Sequence, residues 1–282
     1  MNPTVTALRA GWSRGLIELR QSFTNGADLW NHFFWPGLML IVVYLLRDVS
    51  FGQSGFALGT LILPSILGMN AAMAMVTMSQ LLAIEREDGT LLRAKATPNG
   101  MLGYLTGKIV SVSGNVLIDL AILLVPGLVI VSGLAVGSLG TWLTLGWVLA
   151  LALVATLPIG AVLGSLGTSA RSQGLVTLPI LGMIGISGVF YPIAAMPEWV
   201  QWLAQIFPIY WLGLGMRSAL LPDVAVTVEL GESWRHLETA CVLGAWAALG
   251  LILAPILLRR MARRESGSNV AQRRERALQR IG

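Results

Sequence analysis

Apolar residues in this chain come in long uninterrupted blocks, not in the alternation of a strand or the three-and-four spacing of a soluble helix. A bilayer core about 30 Å thick needs about 20 apolar residues per helix. Residues 29–46 form the first such block, between Asp28 and Arg47. Residues 49–84 carry no charge and exceed one span, so Gly52, Gln53, Ser54 and Gly55 are expected to turn the chain before a second helix from about Ala57. Residues 120–170 are again free of charge, and the glycines of 133–140 divide them into a third and a fourth helix. A fifth follows over 172–192 and a sixth over 239–258. The pattern predicts an all-α integral membrane protein with six transmembrane helices over 29–258.

Two segments depart from that pattern. In residues 1–28, Val5, Leu8, Trp12, Leu16, Leu19 and Phe23 recur at three- and four-residue spacing, and Arg9, Arg14 and Arg20 lie off the stripe. This predicts an amphipathic interfacial helix in the headgroup layer, although a stub packed on its own protein would show the same residues. The apolar core and cleavage site of a signal peptide are missing. In residues 197–216, Trp199, Trp202, Leu203, Ile206 and Phe207 share a helical face, and Pro208 interrupts it before Tyr210. Two short helices that dip into the outer leaflet and return are expected, with their broken backbone buried in protein. An aromatic belt anchoring the fifth helix would look alike.

Composition narrows the class. The chain has 282 residues, 55% of them hydrophobic and 12% charged, against about 25% charged in soluble domains. That excludes water-soluble enzymes and disordered or fibrous proteins. The net charge of +5 would in a soluble protein point to nucleic acid, but its distribution follows the spans. Arg9, Arg14, Arg20, Arg86, Arg93, Lys95, Lys108, Arg171 and the eight arginines of the basic tail 259–282 fall on one side, with Arg47, Arg217 and Arg235 opposite. The positive-inside rule places both termini in the cytoplasm of a bacterial-type inner membrane, with no nucleic-acid partner. The tail is expected to meet anionic lipid.

The longest charged loop, 85–108, reads EREDGTLLRAKATPNGMLGYLTGK. Glu85, Arg86, Glu87 and Asp88 end one helix, Gly89 permits a turn and Thr90 can cap a new one. Leu91, Leu92 and Ala94 begin a short amphipathic helix that Pro98, Asn99 and Gly100 stop. The pattern alone would equally suit a solvated loop; in a loop that transmits force, Glu85, Arg86, Glu87 and Arg93 would fix its register on a partner, with Leu91 buried.

Here the chain resembles the permeases of the ABC type-2 exporter family. Their first cytoplasmic loop carries an acidic-basic-acidic stretch, then Gly-Thr-Leu and a Thr-Pro, which here are Glu85, Arg86, Glu87, Gly89, Thr90, Leu91, Thr97 and Pro98. The likeness extends to the amphipathic N-terminal helix, the six spans and the proline-bounded aromatic segment of Tyr191, Pro192, Pro197, Phe207, Pro208 and Tyr210. It implies that loop 85–108 is a cytoplasmic coupling helix seated in a separate ABC ATPase subunit, and that the re-entrant segment caps the exit path as an outer gate. It further implies a second permease copy in a homodimer and export of a drug or antibiotic, with lipid or lipid-linked glycan export left open. ATP and magnesium would bind the partner ATPase, and this chain would hold no cofactor.

The remaining chemistry agrees with a transport subunit. The nearest approach to a phosphate-binding loop, Gly103 to Gly107 and Lys108, has the wrong spacing. His32 and His236 lie near membrane surfaces without ligand-spaced carboxylates, so no metal site is expected. Ser187 has no mid-span histidine to activate it, so no catalytic residue is assigned. Cys241 is the single cysteine and forms no internal disulfide.

Asp119 is the one acid well inside a predicted span, where an ionisable group marks a candidate site. It would be the proton relay of an ATP-independent secondary carrier, or a structural partner of Asn115 or of a neighbouring helix. A non-transporting assembly or sensor subunit is a third class. Met69, Met73, Met75, Met78, Met183 and Phe190 suit either an adaptable cavity or ordinary core and lipid-facing positions. Gly133 with Gly137, and Gly160 with Gly164, have the spacing for close helix approach.

Overall fold

The computed structural model describes residues 2–49, 57–166 and 173–264, which are helical and contain no strand. In chain order the helices are α1 (Pro3–Ser22), α2 (Gly26–Leu46), α3 (Leu58–Glu87), α4 (Thr90–Lys95) and α5 (Gly100–Ile130), followed by α6 (Leu139–Leu166), α7 (Gln173–Ile186), α8 (Glu198–Ile206), α9 (Pro208–Leu220) and α10 (His236–Arg264). Local chemistry starts the first two. The side-chain oxygens of Asn2 and Asn25 accept from the amides of Thr4 and Ala27, satisfying donors that a helix N-terminus otherwise leaves open.

Among the described residues, five helices are long and apolar enough to cross a membrane: α2, α3, α5, α6 and α10. The expected fifth span is described only as the 14-residue α7, about 21 Å at 1.5 Å per residue. Residues 167–172, where its start was expected, lie outside the described residues. Its other end comes early because Gly188 takes a left-handed φ of +72°, and the chain then makes a short 3-10 turn over Ile193–Ala195. The glycine turn at 52–55 and the tail beyond Arg264 also lie outside the described residues.

The third span differs from expectation at its start. Charge-free counting placed it from residue 120, but α5 begins at Gly100 and carries Lys108 and Asp119 inside it. Each charge has a partner on another helix, so neither interrupts the hydrogen-bond ladder. α4 also starts differently: Gly89 is the N-cap with a left-handed φ of +74°, and no side chain caps the helix. The Thr90 hydroxyl instead accepts from Arg93 at 2.9 Å.

α3 is the axis of the bundle, with α6, α9, α5 and α2 packed around it. Its crossing with α6 is close because Gly160 and Gly164 lie on the backbone of Met75 and Ser79. Gly133 and Gly137, the other glycine pair, sit in the connection between α5 and α6 with nothing near them, Gly133 being left-handed at φ +86°. They turn the chain and pack against no helix. Met75 and Met78 are buried in the core, while Met69, Met73 and Met183 pack at its edge. Phe190 is 47% exposed.

Candidate functional site

The corner formed by α3, α4 and α5 holds the charged loop. α3 continues through Glu85, Arg86 and Glu87, Asp88 caps it, and Gly89 turns the chain into α4. Leu91 is 2% exposed and joins the core, so α4 is pinned by this side chain. Asp88, Arg93 and Lys95 point outward. Lys95 Nζ donates to the Ala262 carbonyl of α10 at 2.9 Å and so ties α4 to that helix. Thr97 closes α4 by donating to the Ala94 carbonyl, and Asn99 at φ +53° turns the chain into α5.

Beside α4 lies a charge cluster, centred on the buried Lys108, that reading along the chain did not anticipate. Lys108, 4% exposed, makes ion pairs with Glu18 at 2.7 Å and Glu85 at 2.5 Å. Tyr104 donates its hydroxyl to the other oxygen of Glu85 at 2.5 Å. Arg14 pairs with Glu18 at 2.9 Å and stands over the Tyr104 ring. Burial pushes the Glu18 carboxyl up, but the hydrogen bonds and charges of Lys108 and Arg14 outweigh it and hold the group below its ordinary value. Two cations and two carboxylates thereby join α1, α3 and α5 at the foot of α4.

α1 reaches this cluster because it runs alongside α5 in the same direction. Gly103 faces Ala7 and Gly11, Gly107 faces Gly11 and Gly15, and Gly114 faces Leu19. A Cβ on Gly11 would lie 2.3 Å from the Gly103 carbonyl oxygen. The signal was present as Gly11-x-x-x-Gly15 and Gly103-x-x-x-Gly107, a small-residue face on each helix. With its glycine face on the protein, α1 leaves Val5, Leu8, Trp12 and Leu16 exposed. Between α1, α4 and the start of α5 opens a cleft of 840 Å³ lined by Thr6, Arg14, Thr90, Arg93, Thr97 and Tyr104 among others.

Asp119 meets His32 of α2, with Oδ1 2.5 Å from Nδ1, and His32 stacks on Phe23. Asn115 is not its partner: the Asn115 amide oxygen accepts from Ser22 at 2.8 Å.

At the far end, Pro197 caps α8 and Pro208 is the first residue of α9. Two short helices thus meet at Pro208, and the second extends beyond residue 216 to Leu220. α9 is buried along nearly its whole length against α3, α6 and α10. α8 turns Trp199 and Trp202 outward, 69% and 73% exposed. Phe207 lies beside Trp246, and Tyr191 donates its hydroxyl to the Gly185 carbonyl. Tyr210 is fully buried edge-on to Trp211, and its hydroxyl has no hydrogen-bond partner among the described residues.

Arg217 and Glu229 form a second buried pair. Arg217 Nε donates to Glu229 Oε1 at 2.5 Å and Nη2 to Oε2 at 3.2 Å. Nη1 donates to Ser65 Oγ at 2.9 Å and to the Gly188 carbonyl at 3.3 Å. The two side chains are 6% and 5% exposed.

The described residues form a bundle of apolar helices with a charged corner at one end and a buried helix at the other. The model of a family described as ABC-2 family transporter protein matches residues 48–257. This chain belongs to the ABC-2 transporter family. No curated protein matches it. The ABC-2 match makes the chain a multi-pass membrane permease that is not itself catalytic. It covers α3 to α9 and most of α10, whereas α1 and α2 lie before it.

Proposed function

We propose that this ABC-2 permease is the membrane subunit of an ATP-driven exporter, carrying an amphipathic substrate such as a drug or antibiotic out across the inner membrane. Separate ATPase subunits hold ATP and magnesium, and a second copy of the permease completes a homodimeric path. The observation that supports this most is the build of the α4 corner. Leu91 fixes α4 from within, the Lys108 cluster ties α1, α3 and α5 together beside it, Lys95 ties α4 to α10, and Asp88 and Arg93 present charge outward. A short helix held in this way transmits a push from a soluble partner to α3, α5 and α10 instead of absorbing it. Glu85, Arg86, Glu87, Gly89 and Thr90 form the turn that delivers it. The exposed stripe of α1 and its outward Arg9 and Arg20 face the cytoplasmic headgroups, the basic tail binds anionic lipid there, and both termini are cytoplasmic. Trp199, Trp202, Phe207, Pro208 and Tyr210 belong to the outer gate, with Tyr191 and Pro197 at its hinge.

Pull-down of the tagged, detergent-solubilised permease from its native membrane, with mass spectrometry of its companions, tests this reading. Recovery of a soluble subunit with a phosphate-binding-loop lysine is expected. Glu87→Lys should lower that recovery by about tenfold, the scale on which a misplaced interface charge acts, while membrane insertion stays intact. Unchanged recovery would remove the corner from the interface.

A secondary carrier is the second reading, and the His32–Asp119 contact inside the bundle is the observation that favours it. Asp119→Asn separates the two. It should leave most ATP-driven export in place, whereas a carrier that titrates Asp119 would lose transport altogether.

A further inference from the structure

The Arg217–Glu229 pair is placed where a rigid scaffold does not need it. Ser65 lies in the second turn of α3, 22 residues before Glu87, or about 33 Å along the helix from the α4 corner. One guanidinium there gathers four separate stretches: α9 through Arg217 itself, the segment before α10 through Glu229, α3 through Ser65, and the turn after α7 through Gly188. Every donor nitrogen on Arg217 has an acceptor, and both carboxylate oxygens of Glu229 are engaged. A narrow void beside the pair is lined among others by Leu61, Ser65, Val189 and Tyr191.

Packed apolar side chains would hold these four stretches at least as firmly, because taking two charges out of water offsets most of their attraction. An ion pair differs from an apolar plug in what water does to it. When dry, the two charges have only each other and their hydrogen-bond partners, so separation leaves a bare charge in a low dielectric. When water enters, both hydrate and the attraction falls steeply. The contact therefore has two states, closed and dry or open and wet, with little stability between them.

We infer that Arg217 and Glu229 form an electrostatic latch that closes the outer end of the transport path, and that Arg217 is the positioning residue holding α9 and the turn at Gly188 onto α3 until substrate leaves. The inference rests on the export reading for its direction, but the latch can be tested without an ATPase. Val189, 2% exposed and next to Gly188, is the reporter. Val189→Cys is placed in a Cys241→Ser background and the full chain is reconstituted in vesicles. A membrane-impermeant maleimide is then added from the side of α8 and α9.

The parent should label slowly. Arg217→Gln and Glu229→Gln should each label faster by about 100-fold, since each leaves a buried partner without its counter-charge. Arg217→Met combined with Glu229→Leu should be protected again, because no charge remains to draw water in. Slow labelling in both single variants would overturn the latch, and so would a double variant as reactive as the singles, which would make the pair ordinary packing. In the assembled complex, trapping the ATPase with ATP and vanadate should expose the parent Cys at position 189. Continued protection there, with labelled single variants, would make the pair a static tie and overturn its gating role. If no ATPase assembles with the permease, the export reading fails and the permease-alone labelling still decides the latch.

Discussion

Replacing Lys108 with methionine lowers the stability of the chain by about 3–5 kcal/mol, the range for removing one partner of a buried ion pair. The methionine fits the space but leaves Glu18 and Glu85 facing each other across it, 2.7 Å and 2.5 Å from where the ammonium stood. Both carboxylates are only partly screened from water, their side chains being 21% and 15% exposed, so hydration offsets part of the loss. Arg14 still serves Glu18, and the Tyr104 hydroxyl still serves Glu85, so the Glu85 charge is the less compensated of the two. The measurement is denaturant or thermal unfolding of the detergent-solubilised protein. The triple variant Lys108→Met, Glu18→Gln, Glu85→Gln supplies the control, because it removes all the charges that Lys108 balanced. It should recover at least half of the loss. A triple variant as unstable as the single would mean that the lysine acts through its packing against Tyr104 and not through charge.

The second large effect comes from a single added carbon on α6. A Cβ on Gly160 would sit 2.5 Å from the Met75 carbonyl oxygen, 2.8 Å from the Met75 Cα and 2.8 Å from the Met78 Cβ. Two of those atoms are backbone and the third is fixed to it, so nothing local can swing aside. α3 and α6 must part along their crossing, and the core around Met75, Met78 and Ala155 loosens with them. Gly160→Ala should cost at the upper end of the 1–3 kcal/mol typical of overpacking, and Gly160→Val more. Gly146 lies on the same helix, and a Cβ added there would meet nothing within 4 Å. Gly146→Ala should therefore be neutral or stabilise by up to about 1 kcal/mol through helix propensity. Unfolding midpoints of the two alanine variants, measured side by side, decide the point. Equal midpoints would show that α3 and α6 are not held at this distance.

The membrane class was legible because hydrophobicity is a local property. A charge-free run of about 20 residues can be read without knowing what lies beside it, and the blocks starting at 29, at about 57, past the break at 133–140 and at 239 correspond to α2, α3, α6 and α10. The Gly89-Thr90-Leu91 and Thr97-Pro98 pattern was equally local, and it led to the family that the match over 48–257 shows. Pro208 likewise marked the break between α8 and α9 from sequence alone.

What reading along the chain could not supply was pairing across the fold. Lys108 looked like the end of a solvated loop because Glu18, 90 residues away, is nowhere near it in sequence. For Asp119 the sequence offers Asn115 one turn away or an unnamed neighbouring helix, and the partner is His32, 87 residues distant. The start of α5 was therefore set twenty residues late, since a charge stops a predicted span but does not stop a helix whose charge is neutralised by another. Arg217 was only one of three cations at the far end until the fold put Ser65, 152 residues away, Gly188 and Glu229 around it. The order of apolar and charged residues determined that this chain forms membrane helices and roughly where. Only the tertiary structure decided which charges are buried, because the free energy of a charge depends on the groups within a few ångströms of it and not on its neighbours in sequence.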